Sequence, residues 1–332
     1  MILNIALLLG AAAVIYLACE FFVNGVEWVG RRLSVGSTAT GSILAAFGTA
    51  LPESVVTFVA VAFGGTPAQK DIGVGAALGG PLVLATIAYS VVGLVLLATR
   101  QPLRAGPQLK RQFKRLSRDQ GWFLGIFAFK IGLGLVAFAF KPWLGAVFLA
   151  AYGAYFWQEM RAADDDGVEE IEPLKLSPGR AEPTTAMALV QTVIALVVIF
   201  AASRVFVSQL EALGPALGLK PQLLALLLSP IATELPETMN AIIWVRQGKH
   251  RLALANISGA MMIQATVPTA FGLFWTPWTL DRPLLLGAAV TTVAVAAMFL
   301  AFRCGMISRW LLAAMGALYV VFAGLLLALR LG

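Results

Sequence analysis

Thr49-Ala50-Leu51-Pro52-Glu53-Ser54 returns, at a shift of 184, as Thr233-Glu234-Leu235-Pro236-Glu237-Thr238. Around this pair the match widens to residues 18–64 against 202–248, with identities at Phe22/Phe206, Val23/Val207, Glu27/Glu211, Gly30/Gly214, Leu33/Leu217 and Gly64/Gly248. No composition bias produces a matched T-x-L-P-E, so the chain holds an internal repeat. Both copies lie in apolar surroundings. Hydrophobic residues make up 59% of the chain and charged residues 12%, about half of the roughly 25% usual in soluble domains. So few charges cannot clothe a soluble surface, and the chain reads as a polytopic membrane protein.

Ten segments are apolar and long enough to cross a bilayer: 3–24, 37–63, 71–99, 120–140, 142–160, 184–208, 220–246, 250–274, 282–302 and 308–330. Five fall in each copy. An odd number inserts the second copy upside down relative to the first, as in secondary transporters, whose binding site sits at the midplane where the repeats meet. The expected fold is an all-α integral membrane protein of ten transmembrane helices in two inverted five-helix repeats. The first repeat spans 1–160, an acidic linker spans 161–183, and the second repeat spans 184–332. The linker carries Asp164, Asp165, Asp166, Glu169, Glu170, Glu172 and Glu182 among prolines. It has no EF-hand spacing and reads as a solvated connection.

Basic residues set the orientation. One set of loops holds 17, including Arg31, Arg32, the run from Arg100 to Arg118, Arg246, Lys249, Arg251, Arg303 and Arg309, whereas the other set with the tails holds 5: Lys70, Lys141, Lys220, Arg282 and Arg330. Both termini are therefore expected to face outward from the cytoplasm. The net charge of +7 reports orientation and contact with lipid headgroups, not nucleic-acid binding. Tryptophans near span ends (Trp28, Trp122, Trp143, Trp157, Trp275, Trp278) fit interfacial belts. The first apolar stretch has no preceding Lys or Arg, so it reads as a span and not a signal peptide. Tyr16-Leu17-Ala18-Cys19 only weakly resembles a lipoprotein cleavage site.

With Cys19 and Cys304 alone, at most one disulfide is available, and the single His250 excludes a histidine-based catalytic or zinc cluster. No G-x-S-x-G and no G-x-x-x-x-G-K-[ST] occurs, so neither an enzyme nor a nucleotide-driven pump is expected, and no cofactor. Only three carboxylates, Glu53, Glu234 and Glu237, fall near the middle of spans. Burying one is costly unless it is paired or coordinated, and intramembrane acids are functional by default. A structural ion pair with Lys130 or Arg204 is the bland alternative, but neither cation is placed symmetrically in the repeat. Pro52 and Pro236 lack an N–H and push away the carbonyls of Gly48 and Ala232. Those carbonyls, the hydroxyls of Thr49 and Thr233 and the carboxylates make an oxygen shell of the kind that hard cations such as Ca²⁺ and Na⁺ take as ligands.

Ala46-Phe47-Gly48-Thr49-Ala50-Leu51-Pro52-Glu53 resembles the first alpha-repeat of the sodium/calcium exchanger family, and Ala232-Thr233-Glu234-Leu235-Pro236-Glu237 the second. Gly75-Ala76-Ala77-Leu78-Gly79-Gly80 and Ala255-Asn256-Ile257-Ser258-Gly259-Ala260 stand where that family has its G-N-x-x-G-S-N stretch. The resemblance implies antiport of Ca²⁺ against Na⁺, K⁺ or H⁺, a prokaryotic cytoplasmic membrane, and helices one and six sliding across the core. Its ion site would be drawn from Glu53, Glu237, Thr49, Thr233, Glu234, Gln264 and Asn256.

The chain departs from the family's pattern. Ser after the Thr becomes Ala50 and Glu234, the G-S-N serines become Gly80 and Ala260, the following asparagines become Pro81 and Met261, and a later polar position is Leu84 in the third span and Gln264 in the eighth. Sodium ligation is weakened by these changes, while Glu234 adds a titratable group. The expected function is secondary cation antiport, Ca²⁺ against H⁺ or Na⁺, with inorganic cations and membrane lipids as partners. A non-transporting receptor or scaffold that keeps the fold is the alternative.

Overall fold

In a computed structural model the chain is described over residues 1–32, 50–101, 107–162, 172–180 and 182–329. These residues form helices and turns, with no strand among them. In chain order the helices are α1 (Ile2–Arg32), α2 (Leu51–Phe63), α3 (Pro67–Val83), α4 (Tyr89–Ala98), α5 (Pro107–Gly134), α6 (Leu144–Ala162), α7 (Thr185–Ala216), α8 (Pro221–Thr233), α9 (Leu235–Arg246), α10 (His250–Trp275), α11 (Arg282–Cys304) and α12 (Arg309–Ala328). A π-helical turn, Leu84–Ala88, joins α3 to α4. Six stretches among the described residues are long and apolar enough to cross a membrane: Ile2–Val29, Pro67–Ala98, Thr185–Ala216, His250–Trp275, Arg282–Cys304 and Arg309–Ala328.

Side chains mark the helix starts. Thr66, Thr184, Asp281 and Ser308 each accept a hydrogen bond from the backbone N–H three residues on, which satisfies a donor the helix leaves open. Gly305, at φ 67°, closes α11 in the left-handed region that favours glycine.

The stretch 220–246, expected as one span, is two helices broken at Glu234 (φ −90°, ψ 6°). The cause is Pro236. It cannot donate to residue 232 and is tolerated only in the first turn, where no donor is needed. Likewise 71–99 is not uniformly α-helical, because it passes through the π turn that begins three residues after Pro81. Such turns recur at functional sites.

Two packing relations position the centre. In the first, α3 lies close against α8. A Cβ at Gly75 would collide with the carbonyl of Gln222, and one at Gly79 with Pro230 and the carbonyl of Leu226. Small residues let helix backbones approach in this way. Gly121 and Gly125, also four residues apart, make no such approach to a backbone; around Gly125 the space is open. In the second relation, α1 packs along α7 through Leu8, Ala11, Ile15, Ala18, Ile199, Ala202, Phe206 and Leu210.

The last part of the linker is tied onto this helix pair, contrary to the expectation of a fully solvated connection. Asn24 Nδ2 and Trp28 Nε1 both donate to the carbonyl of Glu172, at 3.1 and 2.9 Å. Asn24 Oδ1 accepts from the Lys175 N–H and from Gln191 Nε2, and Gln191 Oε1 accepts from the Leu176 N–H. Leu174 is buried between Trp28 and Ala188. Lys175 also pairs with Glu20 at 3.0 Å. The acidic run 164–170 lies outside the described residues.

Two tryptophans assigned to the interface are internal instead. Trp28 is buried on the linker, and Trp278 is fully buried with Nε1 donating to the carbonyl of Lys130. Their indole N–H groups find protein acceptors, which the wet interface would otherwise supply. Trp122, Trp143, Trp157 and Trp275 are exposed, as a belt requires.

Candidate functional site

Glu53 and Glu237 each stand in the first turn of a short helix, directly after its proline. A helix N-terminus presents unpaired N–H groups and the positive end of the dipole, a favourable place for a carboxylate. The matched T-x-L-P-E thus acts twice in the same way: the proline fixes where the helix begins, and the acid follows it. Glu234 occupies the break between α8 and α9. All three acids are buried, at 0%, 0% and 1% exposure for Glu53, Glu237 and Glu234.

These groups converge from both repeats. Thr233 Oγ1 donates to Glu53 Oε2, a bond from the second repeat to the first. Gln264 Nε2, from α10, donates to Glu234 Oε1. The charges of Glu53 and Glu237 both act on Glu234, and that of Glu237 also reaches Cys19 on α1. Gly80 leaves the space that Gln264 fills, since a Cβ there would collide with the amide. The missing serine of α3 is therefore replaced in space by a longer side chain from α10.

Glu53 Oε1, Glu234 Oε2 and Gln264 Oε1 are buried acceptors with no hydrogen-bond donor. Buried oxygens without donors are costly, and a bound cation satisfies them. Among the described residues no three His, Cys, Asp or Glu side chains are grouped tightly enough to form a metal cluster by themselves. A cation held here would therefore also have to draw on Thr233, Gln264 and backbone oxygens, as hard cations do.

Thr49 lies outside the described residues. Asn256 is buried with Nδ2 lacking an acceptor, but it stands eight residues before Gln264, about 12 Å along α10. Its neighbour Ser258 takes part in a separate buried network, in which Gln120 Nε2 donates to Tyr89 and Ser258 at 2.9 and 3.0 Å. The structure thus brings together Glu53, Glu234, Glu237, Thr233 and Gln264, and sets Asn256 apart. Arg204 is exposed. Lys130, read from sequence as a structural partner, is buried with its charge acting on Glu53. Outside the spans, Lys141 Nζ donates to the carbonyls of Val136 and Trp278 at 2.7 and 2.9 Å, and burial pushes its ammonium below the ordinary lysine value.

A helix break beside Pro236, with buried acids from both copies of the motif around it, defines a helical protein with membrane-length helices and an oxygen-rich buried centre. The chain belongs to the sodium/calcium exchanger protein family, which matches residues 3–158 and 187–328. It is 26% identical over 283 residues to the putative antiporter CaxA of Alkalimonas amylolytica, covering 85% of this chain and 83% of that one. It is 24% identical over 319 residues to the inner membrane protein YrbG of Escherichia coli, covering 92% and 89%. Among solved structures, the H⁺/Ca²⁺ exchanger CAX shares the fold with a TM-score of 0.67 at 18% identity, over 98% of this chain and 88% of that one. The sodium-calcium exchanger NCX_Mj shares it with a TM-score of 0.59 at 19% identity, over 97% and 98%.

Proposed function

We propose that this chain is a secondary antiporter that exchanges Ca²⁺ against H⁺ or Na⁺ by alternating access at the site of Glu53, Glu234 and Glu237. It crosses the cytoplasmic membrane ten times as two inverted five-helix repeats, with both termini outward. The observation that carries this reading is the bond from Thr233 to Glu53. It joins the two repeats at one buried centre, next to carboxylate and amide oxygens that lack donors. Two carboxylates neutralise one Ca²⁺, so a loaded site can pass through a low-dielectric interior without a large net charge. The packing of α1 on α7, with the linker tied to both, supports these two helices moving as one unit against the remainder.

Proton coupling is favoured over coupling to several sodium ions. Gly80, Ala260 and Leu84 offer no side-chain oxygen, while Glu234 adds a third acid whose proton exchange is linked to its neighbours. The test is ⁴⁵Ca²⁺ uptake into vesicles containing purified protein, with pH, Na⁺ and K⁺ gradients imposed in turn. Uptake driven by the pH gradient, losing its pH dependence in Glu234→Gln, is expected. Uptake driven by Na⁺ at fixed pH and unchanged by that substitution would replace the proton with sodium. The bare polar complement of α3 favours one further reading, a receptor or scaffold that keeps the fold, and absence of flux under every gradient would select it.

A further inference from the structure

Pro81 has no N–H, so the carbonyl of Ala77, four residues earlier in α3, has no helical donor. Its partner comes from another helix: Lys130 Nζ, on α5, donates to Ala77 O at 2.7 Å. Lys130 is 0% exposed. Its ammonium lies 5.4 Å from the ring centre of Phe127 and 5.7 Å from that of Trp278, within the range of cation–π attraction. Trp278 in turn donates its indole N–H to the backbone carbonyl of Lys130 at 3.2 Å. It does so at φ 48°, one of two positive values among the described non-glycine residues. Strained backbone persists where its surroundings over-determine it. Gly272 supplies the room, since a Cβ there would collide with the Trp278 ring. A buried ammonium is costly unless compensated. Here one carbonyl, two aromatic faces and the charge of Glu53 offset part of that cost.

The charges of the centre then balance. Around a bound divalent ion, Glu53, Glu234 and Glu237 in ionised form carry three negative charges. One Ca²⁺ offsets two of them, and Lys130 offsets the third. We propose that Lys130 is a specificity-determining residue: a tethered cation, seated on the carbonyl that Pro81 frees, which stands in the ion site where a mobile monovalent cation would otherwise be required. The proposal rests on the antiporter reading, and it deepens that reading by making Lys130 the fixed counter-charge of the three-acid centre, felt through Glu53.

The experiment uses purified full-length protein and the variants K130Q, K130M, K130R and the double variant K130Q/E234Q. Thermal unfolding is followed over a range of NaCl against choline chloride at constant ionic strength, and ⁴⁵Ca²⁺ uptake is measured in vesicles under the same salts. K130Q keeps a donor for Ala77 while removing the charge. K130Q and K130M should gain Na⁺-dependent stabilisation absent from the wild type, and the Na⁺ concentration that halves Ca²⁺ uptake should fall by roughly tenfold, within the usual range of coupling between sites. K130R should behave as the wild type, and E234Q added to K130Q should remove the gained Na⁺ response. Folded neutral variants with wild-type Na⁺ sensitivity would overturn the proposal, as would a wild type that already responds as they do. If neither neutral variant folds, rescue of K130Q by E234Q supports the charge pairing and failure of rescue overturns it. A wild type without Ca²⁺ flux, together with K130Q stabilised by Na⁺, would refute antiport and leave the tethered charge standing.

Discussion

Helices α3 and α10 occupy matching places in the two repeats and are built from opposite material. α3 reads Gly75, Gly79, Gly80 and Pro81, followed by Leu84 in the π turn. α10 carries Asn256, Ser258 and Gln264 where α3 and its π turn have Ala76, Leu78 and Leu84. The first helix offers the centre a surface of glycine and one freed carbonyl. The second offers the side-chain amide of Gln264, while Asn256 and Ser258 stand away from the centre. The gaps in α3 are filled from elsewhere: Gln264 occupies the space at Gly80, and Lys130 takes the oxygen at Ala77. Duplication therefore does not oblige both copies to keep the same ligands. The acids remain matched, each directly after the proline in the first turn of its helix, while the side-chain amide comes from one side and the close packing from the other.

The largest expected effect tests what the two halves still share. Glu53→Gln and Glu237→Gln should each lower Ca²⁺ flux in vesicles by about a hundredfold or more, the loss expected when one partner of a buried charge interaction is removed. Near-normal flux in one folded mutant but not the other would mean that the two acids are not equivalent.

A smaller effect probes the difference at a single matched position. Gln264→Leu leaves Glu234 Oε1 without its donor and should weaken Ca²⁺ dependence of transport by roughly tenfold. Leu84→Ala should instead lower thermal stability, by about 2–5 kcal/mol for a buried leucine, with the Ca²⁺ dependence nearly unchanged. If the two substitutions exchange these phenotypes, the assignment of chemistry to α10 and packing to α3 is reversed.

Packing gives the next contrast. Gly75→Val drives a side chain into the Gln222 carbonyl and should cost about 1–3 kcal/mol of stability. Its counterpart Ala255→Val, at a partly exposed position, should stay within about 0.5 kcal/mol. Equal melting points would remove the case for a close α3–α8 contact.

A final measurement changes no energy and tests the inversion itself. The exposed native Cys304 ends α11, and a cysteine placed at exposed Leu135 follows α5, the corresponding element of the first repeat. An impermeant maleimide should label the first only from the cytoplasmic face and the second only from outside. Labelling of both from one face would rule out inverted repeats.

The sequence made the acids legible because a carboxylate in a long apolar run has few structural uses, and its repetition after proline removes chance. Gln264 was legible by its register in the repeat. Lys130 was visible as an expensive charge, but its acceptor was not. A freed backbone carbonyl leaves no mark at residue 130, and only the packing of α5 on α3 joins them. Trp28 and Trp278 misled for a related reason. Aromatics near span ends usually seek the headgroups, and nothing local to either residue shows that a carbonyl waits inside. The break at Glu234 was implied by Pro236 but displaced, because proline is accommodated in the first turn of the following helix.

The partnership of α1 with α7 bears on how the protein is made. At about 5–20 residues per second, the ribosome finishes α7 roughly ten to forty seconds after α1. During that interval α1 has lipid where its main neighbour will be. Leu3, Leu9 and Leu17, which stay exposed in the finished fold, suit that environment throughout, whereas the amide of Asn24 has to wait for Gln191 to emerge. The first half of the chain therefore enters the membrane as an open assembly, closed only when its late-arriving sister helix docks and draws the linker down with it.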